Sequence, residues 1–264
     1  MRKLLLAFLL VMSAASLSAA DFPYQLDWRK DALIGGGAAV LYGTHLVIYF
    51  TQDRDSARDH GLDRLHKSDI NFVDRAMMFS YSRSLDLTGD ILLAATMAAP
   101  FALALHQDKD TIITGAVMYA EALLLAHSFK ELTKDVVVRW RPYCYYDDTR
   151  SKLLKDDESG KSFMSGHSAM AFTSASFLST VYSKMHPEGN SKYWVAGGSF
   201  AAAAGVAALR VLSGNHFFTD VLVGAAWGTF AGWLVPQLHY SQDERPVKLS
   251  LVSSTGAPGI LFNF

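Results

Sequence analysis

Six apolar runs follow the first twenty residues: 32–50, 91–105, 112–129, 168–182, 193–212 and 217–238. Each is long enough for a helix, and the central ones lack the alternation of half-buried strands. A bilayer crossing needs about 20 mostly apolar residues, a length that 217–238 meets. Runs 91–105 and 168–182 are shorter, and the second carries Thr173, Ser174, Ser176, Ser179 and Thr180. Such hydroxyls suit the bundle-facing side of a membrane helix, or a buried helix of a soluble all-α domain. The pattern favours the first. It predicts an all-α chain with a membrane-embedded bundle of five to six core helices. Run 32–50 holds three consecutive glycines and His45, and reads as a packed or interfacial helix rather than a span.

The polar stretches complete the layout. Residues 51–89 are charged and loop-like with amphipathic fragments, and 143–162 form a second charged loop. From Pro246 the tail alternates and turns at Gly-Ala-Pro-Gly, the signature of a small β-hairpin. At the start, Arg2 and Lys3 precede an apolar run from Leu4 to Met12 and then small residues. That is the form of a secretory signal, cut after Ala20. The expected organisation is a signal at 1–20, a helical and loop region at 21–90, a core at 91–240 and a tail at 241–264. With 32–50 outside the count, the polar loops of the core return to the outer face of an inner membrane.

Composition narrows the chemistry. Half the 264 residues are apolar, 19% are charged, and the net charge is −1; mean hydropathy is +0.15. Such a balance gives no global field and does not suggest a nucleic-acid partner. A single cysteine, Cys144, excludes an internal disulfide framework and a cysteine-based metal site.

Three polar clusters interrupt the apolar runs. The first is KDVVVRWRP, with Lys134 and Arg141-Pro142 spaced K-x6-R-P. The second is SFMSGHS, with Ser165, Gly166 and His167 opening a helix. The third is RVLSGNHFFTD, with Arg210, His216 and Asp220 spaced R-x5-H-x3-D. Lys134, Arg141 and Arg210 are fixed cations suited to phosphate oxygens. Ser165 and Gly166 stand where free backbone N–H groups and the helix dipole favour an anion. His216 and Asp220 share one helix face, so the carboxylate can accept from one ring nitrogen and leave the other as a nucleophile. His167 is free to protonate a leaving oxygen. Each cluster alone is commonplace; together, in this order, they compose a phosphoryl-transfer site that calls for no cofactor and no metal.

The three clusters resemble the signature of the type 2 phosphatidic acid phosphatase superfamily, shared with bacterial acid phosphatases and vanadium haloperoxidases. The resemblance spans roughly residues 90–238. Met164 stands where the family usually has proline, and Leu209 where it usually has serine. The resemblance implies a helical core with the motifs at one end. It implies His216 as nucleophile forming a phosphohistidine, Asp220 as its orienter and His167 as proton donor. Lys134, Arg141, Ser165, Gly166 and Arg210 would hold the phosphate.

The expected activity is hydrolysis of a lipid phosphate or diphosphate, with a membrane and its lipid as the partners. A soluble periplasmic acid phosphatase, a vanadate-dependent haloperoxidase and an inactive scaffold are the alternatives. Glu121, inside an apolar run, is a functional candidate or a partner of His127 or of a neighbouring helix. Asp90 reads as a helix cap and Pro100 as a kink. Tyr143, Tyr145 and Tyr146 read equally as a substrate mouth or as packing.

Overall fold

The computed structural model describes residues 22–51, 65–105, 107–146, 158–241, 250–254 and 257–261. The signal-like segment 1–20 lies outside them. Among the described residues seven α-helices follow in order: α1 (Trp28–Thr51), α2 (Phe72–Ala76), α3 (Arg83–Ala98), α4 (Lys109–Val136), α5 (Gly166–Met185), α6 (Ser191–Leu212) and α7 (Phe218–His239). Short 3-10 turns at Ala99–Ala104 and Pro142–Tyr145 extend α3 and follow α4. Pro100 closes α3 by starting the first of these turns. The domain boundary expected at 90/91 falls inside α3.

Side chains set the helix starts. Asp108 accepts from the Thr111 N–H at 2.8 Å and caps α4. Ser165 caps α5 through the Ser168 N–H at 3.4 Å. Asp220, in the first turn of α7, accepts from the Phe217 N–H at 2.9 Å.

Helix α5 is the axis of the bundle. Ala169, Ala171, Thr173, Ser174, Phe177, Leu178 and Val181 are all buried, so the hydroxyls of run 168–182 do face the bundle. They satisfy themselves there: Tyr119 of α4 and Ser174 share a 2.7 Å bond, and Ser179 of α5 meets Ser199 of α6 at 3.0 Å. Against α7 the contact is closer still. Ser168 and Ser176 donate to Val221 and Thr229 carbonyls at 2.7 and 2.9 Å. Gly224, Gly228 and Gly232 press on the α5 backbone; a Cβ on Gly228 would stand 2.1 Å from the Ala169 oxygen. Small residues at four-residue spacing permit this approach between apolar helices.

The outer surface is apolar. Leu33, Val40, Val47 and Phe50 of α1, Trp194 of α6 and Trp233 of α7 are exposed. Among the described residues, five helices are long and apolar enough to cross a bilayer: α1, α3 with its 3-10 extension, α4, α6 and α7. A surface this apolar is stable against lipid rather than water, and the chain is a membrane protein.

Run 32–50 forms a helix packed beside α4, as expected, and one that also has the length and apolarity to cross a bilayer. It forms the 24-residue α1, antiparallel to α7's exit and alongside α4. At one end Asp31 meets His239 at 2.7 Å; at the other His45 meets Asp135 at 2.5 Å. Its glycines Gly35, Gly36 and Gly37 have no neighbour within 4 Å of a built Cβ, so they do not mark a tight helix crossing. Among the described residues the chain therefore traverses the bundle six times, α5 included. Tyr24 and Tyr240 pair at the same end, opposite the polar clusters. The tail forms the expected hairpin, β1 (Ser250–Ser254) against β2 (Ala257–Leu261). Ser254 pairs Ala257, and Pro258 and Gly259 lie in β2.

Candidate active site

All three clusters meet at the end of the bundle where α4 and α6 finish and α5 and α7 begin. A backbone strap ties the first cluster to the end of the charged loop. The Arg139 N–H donates to Gly160 O at 3.0 Å, the Ser162 N–H to Arg139 O at 2.9 Å, and the Arg141 N–H to Ser159 O at 2.9 Å.

His216 sits on the α6–α7 turn and is 2% exposed. Gly214 makes the turn with φ +74°, and a Cβ there would lie 2.6 Å from the Phe79 oxygen. His216 Nδ1 lies 2.7 Å from Ser162 O. A carbonyl only accepts, so Nδ1 carries the proton and Nε2 keeps its lone pair. Burial, and then the charges of Arg141, Arg210 and Lys134, push the ring well below the usual histidine range. The ring is neutral at physiological pH.

The expected direct bond from Asp220 to this ring is absent. Asp220 Oδ2 stands 3.8 Å from Nδ1, because the strap carbonyl takes the ring proton instead. Asp220 accepts from Ser162 Oγ at 2.5 Å and from Arg139 Nη1. It thus holds the residue that holds His216. Arg139 bridges on to Asp74 at 2.6 Å and lies 4.2 Å from the Phe217 ring centroid. Asp74 is fully buried and also accepts from the Thr219 N–H and Oγ1 at 2.9 and 2.7 Å. Burial opposes its ionisation, but the bonds from Thr219, Asn71 and Arg139 outweigh burial and hold the carboxyl below its ordinary value.

The cations form two groups around this ring. Lys134 Nζ and Arg141 Nη2 reach one carboxylate oxygen of Glu158 at 3.2 and 3.3 Å. Lys161 binds the other oxygen at 3.1 Å. Arg210 is buried, pairs with Asp86 and lies 3.5 Å from Asp90; its Nε is buried without a partner. His167 Nε2 stands 2.7 Å from the same Asp90 oxygen. Asp90 is therefore a partner of the site and not a helix cap. Ser165 and Gly166 open α5 beside these groups, and a Cβ on Gly166 would meet Lys130 Cδ at 2.7 Å. That contact brings a further cation to the same helix end.

Sequence reasoning missed Ser162, Arg139, Asp74, Glu158, Asp86 and Lys130. Only Arg139 and Lys130 had a usable signal. Arg139 alternates with Arg141 in R-W-R, and Lys130 lies one turn before Lys134 on the same helix face. The tyrosines resolve toward packing. Tyr143 is buried and its N–H donates to Gly214 O at 3.2 Å, and Tyr146 Oη donates to Met78 O at 3.0 Å. Met164 is fully buried, and Leu209 lies against α3 at Gly89.

Glu158 occupies the cradle like a resident anion. Burial opposes its ionisation, but Lys134, Lys161 and Arg141 pull its pKa to about 2. Its folded pKa is depressed, so its stabilisation is present above the usual carboxylate pKa and is lost as pH falls toward about 2. A phosphate entering between Lys134 and Arg141 must displace it. Glu158→Gln is expected to lower KM about three- to tenfold, a modest gain because the side chain is partly exposed and screened. A raised KM in steady-state assays would show instead that Glu158 organises the two cations.

The sequence profile of the PAP2 superfamily matches residues 115–244, a span containing all three clusters. Among solved structures, the chain is similar to a transmembrane PAP2 type phosphatidylglycerolphosphate phosphatase from Bacillus subtilis. Identity is 21%, the TM-score is 0.38, and the alignment covers 90% of this chain and 94% of that one. No curated protein matches.

Proposed function

The chain belongs to the PAP2 superfamily, and on that premise we propose that it hydrolyses the phosphate of a lipid phosphate or diphosphate through a phosphohistidine on His216. The observation that carries this reading is the state of His216: buried, neutral, its Nδ1 proton donated to Ser162 O, and ringed by Lys134, Arg141 and Arg210. Nε2 attacks phosphorus, and the P–O bond to the lipid breaks as His167 passes a proton to the leaving oxygen. The neutral His167 then takes a proton from water, whose oxygen displaces His216 from phosphorus. Inorganic phosphate leaves and both rings return to their starting states. Lys134, Arg141, Arg210 and the α5 N-terminus at Ser165 and Gly166 stabilise the charge on the transferring group. The lipid assignment follows from the apolar surface flanking the site, which a soluble acid phosphatase would not present.

Orientation depends on the six traverses. A periplasm-facing site required 32–50 not to cross, and α1 has the length and apolarity to do so. An export signal leaves residue 21 on the outer side whether or not it is cut. The odd-numbered crossings, α1 first, then bring the site, at the end opposite Tyr24 and Tyr240, to the inner face of the inner membrane.

The test is phosphate release from phosphatidate, a polyprenyl diphosphate, lipid A and an aryl phosphate, by protein in mild detergent with EDTA. Release from a lipid substrate is the expected result; release from the aryl phosphate alone would remove the lipid assignment. The same assay on inverted and right-side-out vesicles with a non-permeant substrate reads the orientation. Inverted vesicles should be the active ones.

A further inference from the structure

We propose that Asp31, Glu121 and His239 bind a divalent transition-metal cation of the zinc or manganese class, at the end of the bundle opposite the phosphate site. The three residues come from α1, α4 and α7, and their ligand atoms all lie within 4.8 Å of one another. His239 is 1% exposed and Glu121 is 7% exposed.

Hydrogen bonding makes the case. His239 Nδ1 lies 2.9 Å from Val235 O, so Nδ1 is the protonated nitrogen and the lone pair is on Nε2. That nitrogen faces two carboxylates, Asp31 Oδ1 at 2.7 Å and Glu121 Oε2 at 3.4 Å. Three electron-rich atoms thus converge on one point. Glu121 Oε2 is buried and has no hydrogen-bond partner. An orphaned carboxylate oxygen aimed at a histidine lone pair is costly in an apolar interior.

A positive charge resolves the cluster. A proton on Nε2 compensates one carboxylate and leaves the other to a second proton; a dication neutralises both carboxylates at once. The donor set of one imidazole and two carboxylates suits zinc or manganese, with a fourth position open to water. The Nδ1–H bond to a backbone carbonyl is the usual way a ligating histidine is oriented. Such an ion would pin α1 to α4 and α7, and it takes no part in hydrolysis at the other end. Glu121 therefore keeps two of the roles weighed from sequence: it faces His239 of a neighbouring helix, and its proposed function is to hold metal.

The experiment uses the full chain in mild detergent, purified without chelator and dialysed separately against zinc and manganese. Elemental analysis should find about one ion per chain. His239→Ala and Glu121→Gln should each retain at least about tenfold less. Added metal should raise the thermal midpoint of the wild type but not of Glu121→Gln. Asp31→Asn, a half-buried and milder change, guards against loss through misfolding and should weaken retention in the same direction. Wild-type protein that retains no more metal than His239→Ala, with no thermal response, would overturn the proposal in favour of a hydrogen-bonded triad.

Discussion

His216→Ala should cut phosphate release by on the order of 10⁴-fold or more, the scale seen when a covalent nucleophile is removed. That corresponds to roughly 5.5 kcal/mol of lost transition-state stabilisation. No nearby group can substitute, because the ring nitrogen aimed at phosphorus is fixed by the Ser162 carbonyl bond at 2.7 Å. The same geometry orders a second variant. Asp220→Asn keeps the Ser162 carbonyl and hence the tautomer of His216, and Asp74 still holds Arg139. Its loss should be smaller, about 10²-fold, the range of a group that supports proton positioning. Initial rates on a lipid phosphate, with folding checked by thermal unfolding, decide the order. If Asp220→Asn were as dead as His216→Ala, the carboxylate would contact the ring directly in the working enzyme. If His216→Ala kept even a hundredth of the rate, the nucleophile would be another group. His216 is neutral throughout the physiological range, so the acid limb of the pH–rate profile should report other groups.

How far the chain could be read in advance depends on how local each signal is. The helices were legible because apolar runs and caps are local properties. The motif residues were legible because their spacings stay within one cluster. Asp74 and Ser162 were not legible. Asp74 lies in a charged stretch with no pattern, and reaches the site only because Arg139 and Thr219 fold onto it. Ser162 meets His216 through its backbone carbonyl, which carries no residue-specific signal, and its hydroxyl reaches Asp220 58 residues away. The role of Asp90 was misread for the same reason: a cap is the local inference, and its partners His167 and Arg210 are 77 and 120 residues away.

The glycines of run 32–50 show the opposite case. Glycines in an apolar helix suggest close packing, but packing needs a partner at the right height. In α1 the glycines meet nothing, whereas in α7 they meet α5 at every turn. Sequence spacing distinguishes the two: Gly35, Gly36 and Gly37 point to three sides of a helix, and Gly224, Gly228 and Gly232 to nearly one. Likewise, parity of crossings hinges on one helix, so whether α1 crosses decides which face of the membrane carries the site.

That contrast makes the second large effect. Gly228→Ala places a methyl 2.1 Å from the Ala169 oxygen and 2.9 Å from its carbonyl carbon. Both are backbone atoms of a buried helix, so neither can rotate away, and α5 and α7 must part. Overpacking of this kind costs about 1–3 kcal/mol, and Gly228→Leu should exceed it and leave little folded protein. Parting also breaks the Ser168–Val221 and Ser176–Thr229 bonds. It also separates the helix that carries Ser165, Gly166 and His167 from the one that carries Asp220. Activity should therefore fall with Gly228→Ala even in the fraction that stays folded. Gly36→Ala is the matched control: nothing lies within 4 Å of its Cβ, and the higher helix propensity of alanine should leave stability unchanged or raised by up to about 1 kcal/mol. Thermal midpoints in one detergent compare the two. A Gly228→Ala protein as stable and active as the control would mean that α5 and α7 do not meet through their backbones. The placement of both candidate histidines at one end of the bundle would then need another explanation.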